Sequence, residues 1–278
     1  AVSAVSNSHP QNNLAMVEKI LKKRKQYFTR PAIAIHYLHK ASPEQLAQIK
    51  KLTSQEFSNI ASQHPYSTIL FAKDYYVTVL LYLLKDIQGI YFKGGTALNK
   101  IFLNHARLSE DIDYTLTRPV KEVKEEIISL IKKSKLFGSI TQDKDVDGFI
   151  RIVVEYDGFS GEKGVVFIDL NERAKLLQKP ETYEVKHFYP NNLPAISVNT
   201  LAKSELIAEK MAAAIGRNKP RDHFDLYMIL KAGISIDTSL VAKKCAQSGD
   251  EFSIIAMFKN AQKLKKRWDE DLESLLTE

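Results

Sequence analysis

The stretch "YFKGGTALNKIFLNHARLSEDIDYTL", residues 91–116, sets a glycine pair and a hydroxyl (Gly94, Gly95, Thr96) a short helix away from two carboxylates split by one apolar residue (Asp111, Ile112, Asp113). A β run, "IQGIYFKGG", leads into the glycines, and "TALNKIFLNHA" reads as a helix. Backbone N–H groups at such a helix start have no intrahelical partner, and the helix dipole favours an anion there, so the turn suits a phosphate. It is neither a Walker loop nor a GxGxxG turn, which removes the two commonest nucleotide folds.

On a strand, residues two apart share a face, roughly 6–7 Å apart. Ser109, Asp111 and Asp113 therefore point one way, and Ile112 and Tyr114 the other. Two carboxylates this close repel each other unless a cation sits between them or one is protonated. Oxygen ligands of this kind suit Mg²⁺ or Mn²⁺, with substrate phosphates completing the shell. In "VVFIDLNER" the alternation puts Val166, Ile168 and Leu170 on one face and Phe167 and Asp169 on the other. Asp169 is thus a third carboxylate for a neighbouring strand and a candidate general base; Glu155 is its rival. A metal set of Asp111, Asp113 and Asp169 would support in-line displacement at phosphorus.

Farther on, "KSELIAEKMAAAIGRNKPRDHFDLYMIL" places Lys203 and Lys210 two turns apart on one helix, a basic pair for a triphosphate. Arg217 and Arg221 add charge, and Asp222 and Asp225 fall at i and i+3, where an internal Arg/Asp salt-bridge network is the alternative to a catalytic acid.

The chain has 278 residues, 44% hydrophobic and 26% charged, an ordinary globular composition without extended polar tracts. A single cysteine, Cys245, excludes an internal disulfide framework and points to the cytoplasm. The start, "AVSAVSNSHPQNNLA", lacks the pattern of a secretory leader. The longest apolar run, "YYVTVLLYLL" at 75–84, is too short to span a bilayer and reads as a core helix, so no membrane partner is expected. The net charge is +7, and residues 1–60 hold nine Lys/Arg against three Asp/Glu, or six of the seven excess charges. The densest patch, "KILKKRKQYFTR" at 19–30, suits a polyanion such as RNA.

The pattern predicts three regions: helical over 1–88, a mixed core over 89–195 and helical over 196–278. In the first, "SPEQLAQIKKLTSQEF" starts with a Ser42 cap and Pro43. "VKEVKEEIISLIKKSKLF" is an amphipathic helix ending at Gly138, and "GFIRIVVEYDG" and "GVVFIDLNER" are strands joined by a Gly-rich loop. "NTLAKSELIAEKMAAAIG" is a helix with an Asn199 cap and Gly216 near its end.

Taken in order, "KGGTALNK", "RLSEDIDYTL", "LIAEKMAAAIGR" and "RDHFDLYMIL" resemble the AbiEii/AbiGii toxin family of nucleotidyltransferases, over about residues 91–230. The resemblance implies an α+β fold with a polymerase-β-like nucleotidyltransferase core flanked by helices. It also implies a toxin that transfers a nucleotide from an NTP, with the tRNA 3′ end as the acceptor in some members, and a cognate antitoxin. Carried over, it makes Gly94, Gly95 and Thr96 phosphate-binding, and Asp111 and Asp113 metal-binding. Arg107 and Ser109 would support the nucleotide, and Lys210 the triphosphate. Asp222 is the first choice for an essential acid, with Asp225 the other and a nucleotide-side residue. A protein or small-molecule acceptor, or a non-catalytic NTP- or RNA-binding regulator, are the competing readings.

Overall fold

The computed structural model describes residues 43–276 apart from 218 and 260, so the basic stretch at 19–30 and the Ser42 cap lie outside the described residues. Three helices come first: α1 (Pro43–Ala47), α2 (Ser54–Ala61) and α3 (Thr68–Leu84). The single run expected over "SPEQLAQIKKLTSQEF" is split. Thr53 opens α2 with a capping box, its side chain accepting from the Glu56 N–H while the Glu56 carboxylate accepts from the Thr53 N–H. The α3 helix is apolar on nearly every side and is buried from Leu70 to Leu84 except at Lys73 and Tyr76, as its composition predicts.

Strand β1 (Ile90–Lys93) runs into α4 (Gly94–Ala97), which continues as a π turn over Leu98–Phe102. Then follow β2 (Asp111–Leu116), α5 (Val120–Ser134), β3 (Ile140–Val146), β4 (Phe149–Asp157), β5 (Lys163–Asn171), β6 (Glu181–Val185) and β7 (Ile196–Thr200). They build one seven-stranded sheet in the order β3-β4-β5-β2-β1-β7-β6. It is mixed: β2 runs parallel to β5 and β1 parallel to β7, and the remaining pairs are antiparallel. The face carrying Ile112, Tyr114, Ile152, Val154, Ile168 and Leu170 is fully buried, with α3 and α5 packed against it. The opposite face, which carries the acids, stays open in part.

Helices α6 (Lys203–Gly216), α7 (Pro220–Lys231), α8 (Thr238–Ser248) and α9 (Ala261–Asp271) follow the sheet. Three expectations change. The α5 helix stops at Ser134, where Lys135 takes the left-handed conformation (φ 53°), three residues before Gly138. Asn199 lies inside β7, and α6 begins at Lys203 without a side-chain cap. Strands β3, β6 and β7 were not foreseen. Among the described residues no helix is long and apolar enough to cross a membrane.

Candidate active site

Parallel pairing of β2 with β5 sets Asp113 directly beside Asp169 and Asp111 beside Phe167, so the three carboxylates share the open face of the sheet. Strand alternation assigns each acid to its face, and the pairing of β2 with β5 brings the faces together. Asp113 also pairs in register with Lys93 at the end of β1. Gly94 comes next, with φ 78°, and a Cβ there would meet Asp113 Oδ2 at 2.2 Å. Here glycine is required twice, by the backbone and by the carboxylate leaning over it. Gly94→Ala is expected to cost about 1–2 kcal/mol from the left-handed backbone alone. It should also push Asp113 out of place, which a thermal melt paired with a nucleotide-transfer assay would read.

The two β2 acids differ from the third. Asp113 sits deep enough in the cleft that loss of solvent pushes its carboxyl up to about 6, with Asp169 and Asp111 adding repulsion against the pull of Lys93. Desolvation likewise raises Asp111, while Arg221 pulls it down. Asp169 instead accepts two hydrogen bonds from Arg151 on β4, Nε and Nη2 each at 2.7 Å. Arg151 also lies over the Phe167 ring at 5.1 Å.

Thr96 is buried; its hydroxyl donates to the Asp111 carbonyl and lies 2.8 Å from Ser109 Oγ. Both hydroxyls therefore tie the glycine turn to the start of β2. Arg107 is also buried, and a Cβ on Gly95 would meet its Nη2 at 2.6 Å. It braces the turn from behind.

The cations converge from the helical side. Lys210, on α6, reaches both Asp222 and Asp225 at 2.9 Å. Asp222 accepts two further bonds from Arg217 at 2.8 Å, and Asp225 two from Arg107 at 2.8 Å and one from Asn99 at 3.2 Å. Asn99 in turn donates to the Gly95 carbonyl at 3.0 Å. The internal salt-bridge network anticipated from the spacing is therefore present. Burial opposes both carboxylates, yet Lys210 with Arg217 holds Asp222 far below the usual range, and Lys210 with Arg107 lowers Asp225. Lys203 points elsewhere, over the Phe102 ring at 5.3 Å, so it forms no pair with Lys210.

Between the sheet and α6 lies a cavity of about 140 Å³, lined by Gly94, Gly95, Asp113, Lys93, Lys210 and Arg217 among others. No side chain caps the turn at Lys93, so the first N–H groups have no side-chain acceptor. Lys93 was not singled out from sequence, although it stands in "KGG"; it is ion-paired with Glu209 of α6. Among the described residues no group of three or more His, Cys, Asp and Glu has ready-made metal geometry. The donor set still suits a hard cation at two positions: Asp111 and Asp113 have no ion-pair partner at contact distance among the described residues and are desolvated side by side, while Arg151 takes both oxygens of Asp169.

The family model for "Nucleotidyl transferase AbiEii toxin, Type IV TA system" matches residues 81–278. The chain belongs to the AbiEii nucleotidyltransferase toxin family. As an AbiEii protein it is a nucleotidyltransferase toxin of a type IV toxin–antitoxin system, and membership implies an NTP substrate and an antitoxin. Its fold is similar to that of MenT4, a nucleotidyltransferase toxin from Mycobacterium tuberculosis H37Rv, at 24% identity and TM-score 0.56, covering 70% of this chain and 69% of that one. It is also similar to an H. pylori protein assigned as a nucleotidyltransferase, at 21% identity and TM-score 0.53, covering 76% and 86%. No curated protein matches. The α+β fold with its mixed sheet and flanking helices agrees with these nucleotidyltransferase structures.

Proposed function

We propose that this AbiEii toxin transfers a nucleotide from an NTP to a hydroxyl at the 3′ end of tRNA. The observation that carries the reading is the placement of Asp113 between Lys93 of the phosphate turn on one side and Asp169 on the other, in one register across three strands. The triphosphate lies in the small cavity, held by the Gly94–Gly95 N–H groups, Lys210 and Arg217. Lys210 and Arg217 are aimed by Asp222, which makes Asp222 and Asp225 positioning residues. Asp111 and Asp113 would hold a divalent cation such as Mg²⁺ or Mn²⁺, which supplies charge neutralisation at the phosphoryl group and a more acidic attacking hydroxyl.

In the transfer, the acceptor oxygen bonds to the α-phosphorus and the bond to the α–β bridging oxygen breaks. Pyrophosphate leaves with that electron pair. The hydroxyl proton passes to Asp169, whose oxygens Arg151 orients. Two features support an RNA end as acceptor. Arg151 and Phe167 form a half-buried cation–aromatic pair on the face of Asp169, a platform on which an unpaired base can stack. The chain also carries a net charge of +7.

Incubation with labelled NTPs, Mg²⁺ and total tRNA is expected to label the RNA and release pyrophosphate. Label on protein or on small molecules without RNA would overturn the acceptor, and NTP binding without pyrophosphate release would overturn the transfer.

A further inference from the structure

Strand β4 carries a second arginine–aromatic stack. Phe149 lies two residues before Arg151, so both side chains stand on the open face of the sheet, and Phe149 pairs in register with Asn171. The Arg173 guanidinium lies over the Phe149 ring, 5.7 Å from its centroid. The backbone around Arg173 is pinned at several points. Asn171 Oδ1 accepts from the Arg173 and Ala174 N–H groups at 3.0 and 3.3 Å, and the Glu172 N–H donates to the Gly148 carbonyl at 3.0 Å. Glu172 Oε2 accepts from the Val120 N–H. Gly148, between β3 and β4 with φ 68°, gives the arginine stem room: a Cβ there would stand 2.6 Å from Arg173 Cγ.

Arg173 is nevertheless exposed, and its guanidinium has no ion-pair partner at contact distance among the described residues. One face of this planar cation rests on Phe149, which leaves the other for a planar ligand. Guanidinium planes of this kind are surfaces on which nucleobases stack.

Position decides which base. Arg151, Asp169, Asp113 and Lys93 form one row across four strands. Phe149 lies on one side of that row and Phe167 on the other, about 14 Å apart by strand rise and spacing. The Phe167 side borders Asp111 and is given above to the acceptor base. On the Phe149 side, a single cavity of about 540 Å³ is walled by Arg173 and Asn171 together with Lys93 and Arg217. Arg217 is a triphosphate ligand in the reading above. One space thus has a phosphate-binding cation at one wall and a stacked guanidinium at another, which matches the two ends of a nucleotide.

We propose that the Arg173–Phe149 stack seats the base of the incoming NTP, so that Asp113 and Asp169 lie between two base platforms, one for each nucleoside of the transfer. The proposal rests on the transfer reading above and assigns the base end of its donor substrate.

Calorimetry with inorganic tripolyphosphate and with each common NTP, in Mg²⁺ and without RNA, tests it. The native protein should bind at least one NTP about tenfold more tightly than tripolyphosphate, the scale of one base stack. Arg173→Ala should remove most of that advantage. Arg173→Lys keeps the charge and loses the plane, so it should bind NTP as weakly as Arg173→Ala does while binding tripolyphosphate like the native protein. Phe149→Leu, which removes the ring beneath the guanidinium, should fall between. In transfer assays KM for NTP should rise in all three variants while KM for tRNA stays near native.

Native NTP affinity in Arg173→Ala, its full recovery in Arg173→Lys, or native affinity for tripolyphosphate equal to that for every NTP would overturn the stacking role. A rise in KM for tRNA with KM for NTP unchanged would give the platform to the acceptor and overturn the assignment. Each of these results leaves the transfer reading standing. Failure of the native protein to bind either NTP or tripolyphosphate would overturn both.

Discussion

Asp113→Asn is expected to lower nucleotide transfer by about 10³-fold, the scale seen when one electrostatic group at a reacting centre is removed. The substitution keeps shape and removes charge at the point where Lys93, Gly94, Asp111 and Asp169 converge. Because the carboxylate is desolvated and repelled by its neighbours, its loss should leave the melting temperature of the apo protein unchanged or higher. That combination separates a chemical role from a structural one. The native protein should also gain thermal stability when Mg²⁺ and NTP are added together, and the variant should gain less. Full transfer activity in Asp113→Asn would refute the role given to the acid pair.

Asp225→Ala is expected to destabilise by about 3–5 kcal/mol, because it strands Arg107 without a carboxylate and leaves Lys210 with one partner in the interior. For a chain of this size the melting temperature should fall by roughly 6–20 °C. Asp222→Ala should cost less: Arg217 is half exposed and rehydrates, and Lys210 keeps Asp225. Both variants should lose transfer, since each loosens Lys210. Acid should act in the same direction. Both carboxylates are held below their unfolded range, so their contribution is present above about pH 4 and is lost as the pH falls further. A melting temperature for Asp225→Ala within a degree or two of native, or one insensitive to acid below pH 4, would contradict this account.

The geometry of the candidate centre was legible because it depends on strand alternation and on glycine, both local properties. "DIDYTL" and "VVFIDLNER" declare their faces within a few residues, and parallel pairing then brings Asp169 to Asp113. The edges of the sheet were not legible. In β3, "ITQDKDV" is exposed along nearly its whole length and polar from Thr141 to Asp145, a composition that blunts an edge strand and erases its pattern. β6 and β7 are five residues each, too short to show a period. The partners of the acids were also hidden. Arg151 and Glu209 act through pairings across strands and helices, and nothing in their own neighbourhoods distinguishes them from surface charges. The i, i+3 spacing put Asp222 and Asp225 on one face, but only the fold places Lys210 between them.

The Arg107–Asp225 clamp joins residues 118 positions apart. A chain emerging from the ribosome exposes its glycine turn and acid pair long before the helix that carries Asp225 is made. Until then Arg107 has no carboxylate to hold it behind Gly95, and Lys210 has neither of its two anchors. The proposed phosphate grip thus closes only after α7 has been made, and a product truncated before α7 carries the acids without the clamp that would position Lys210.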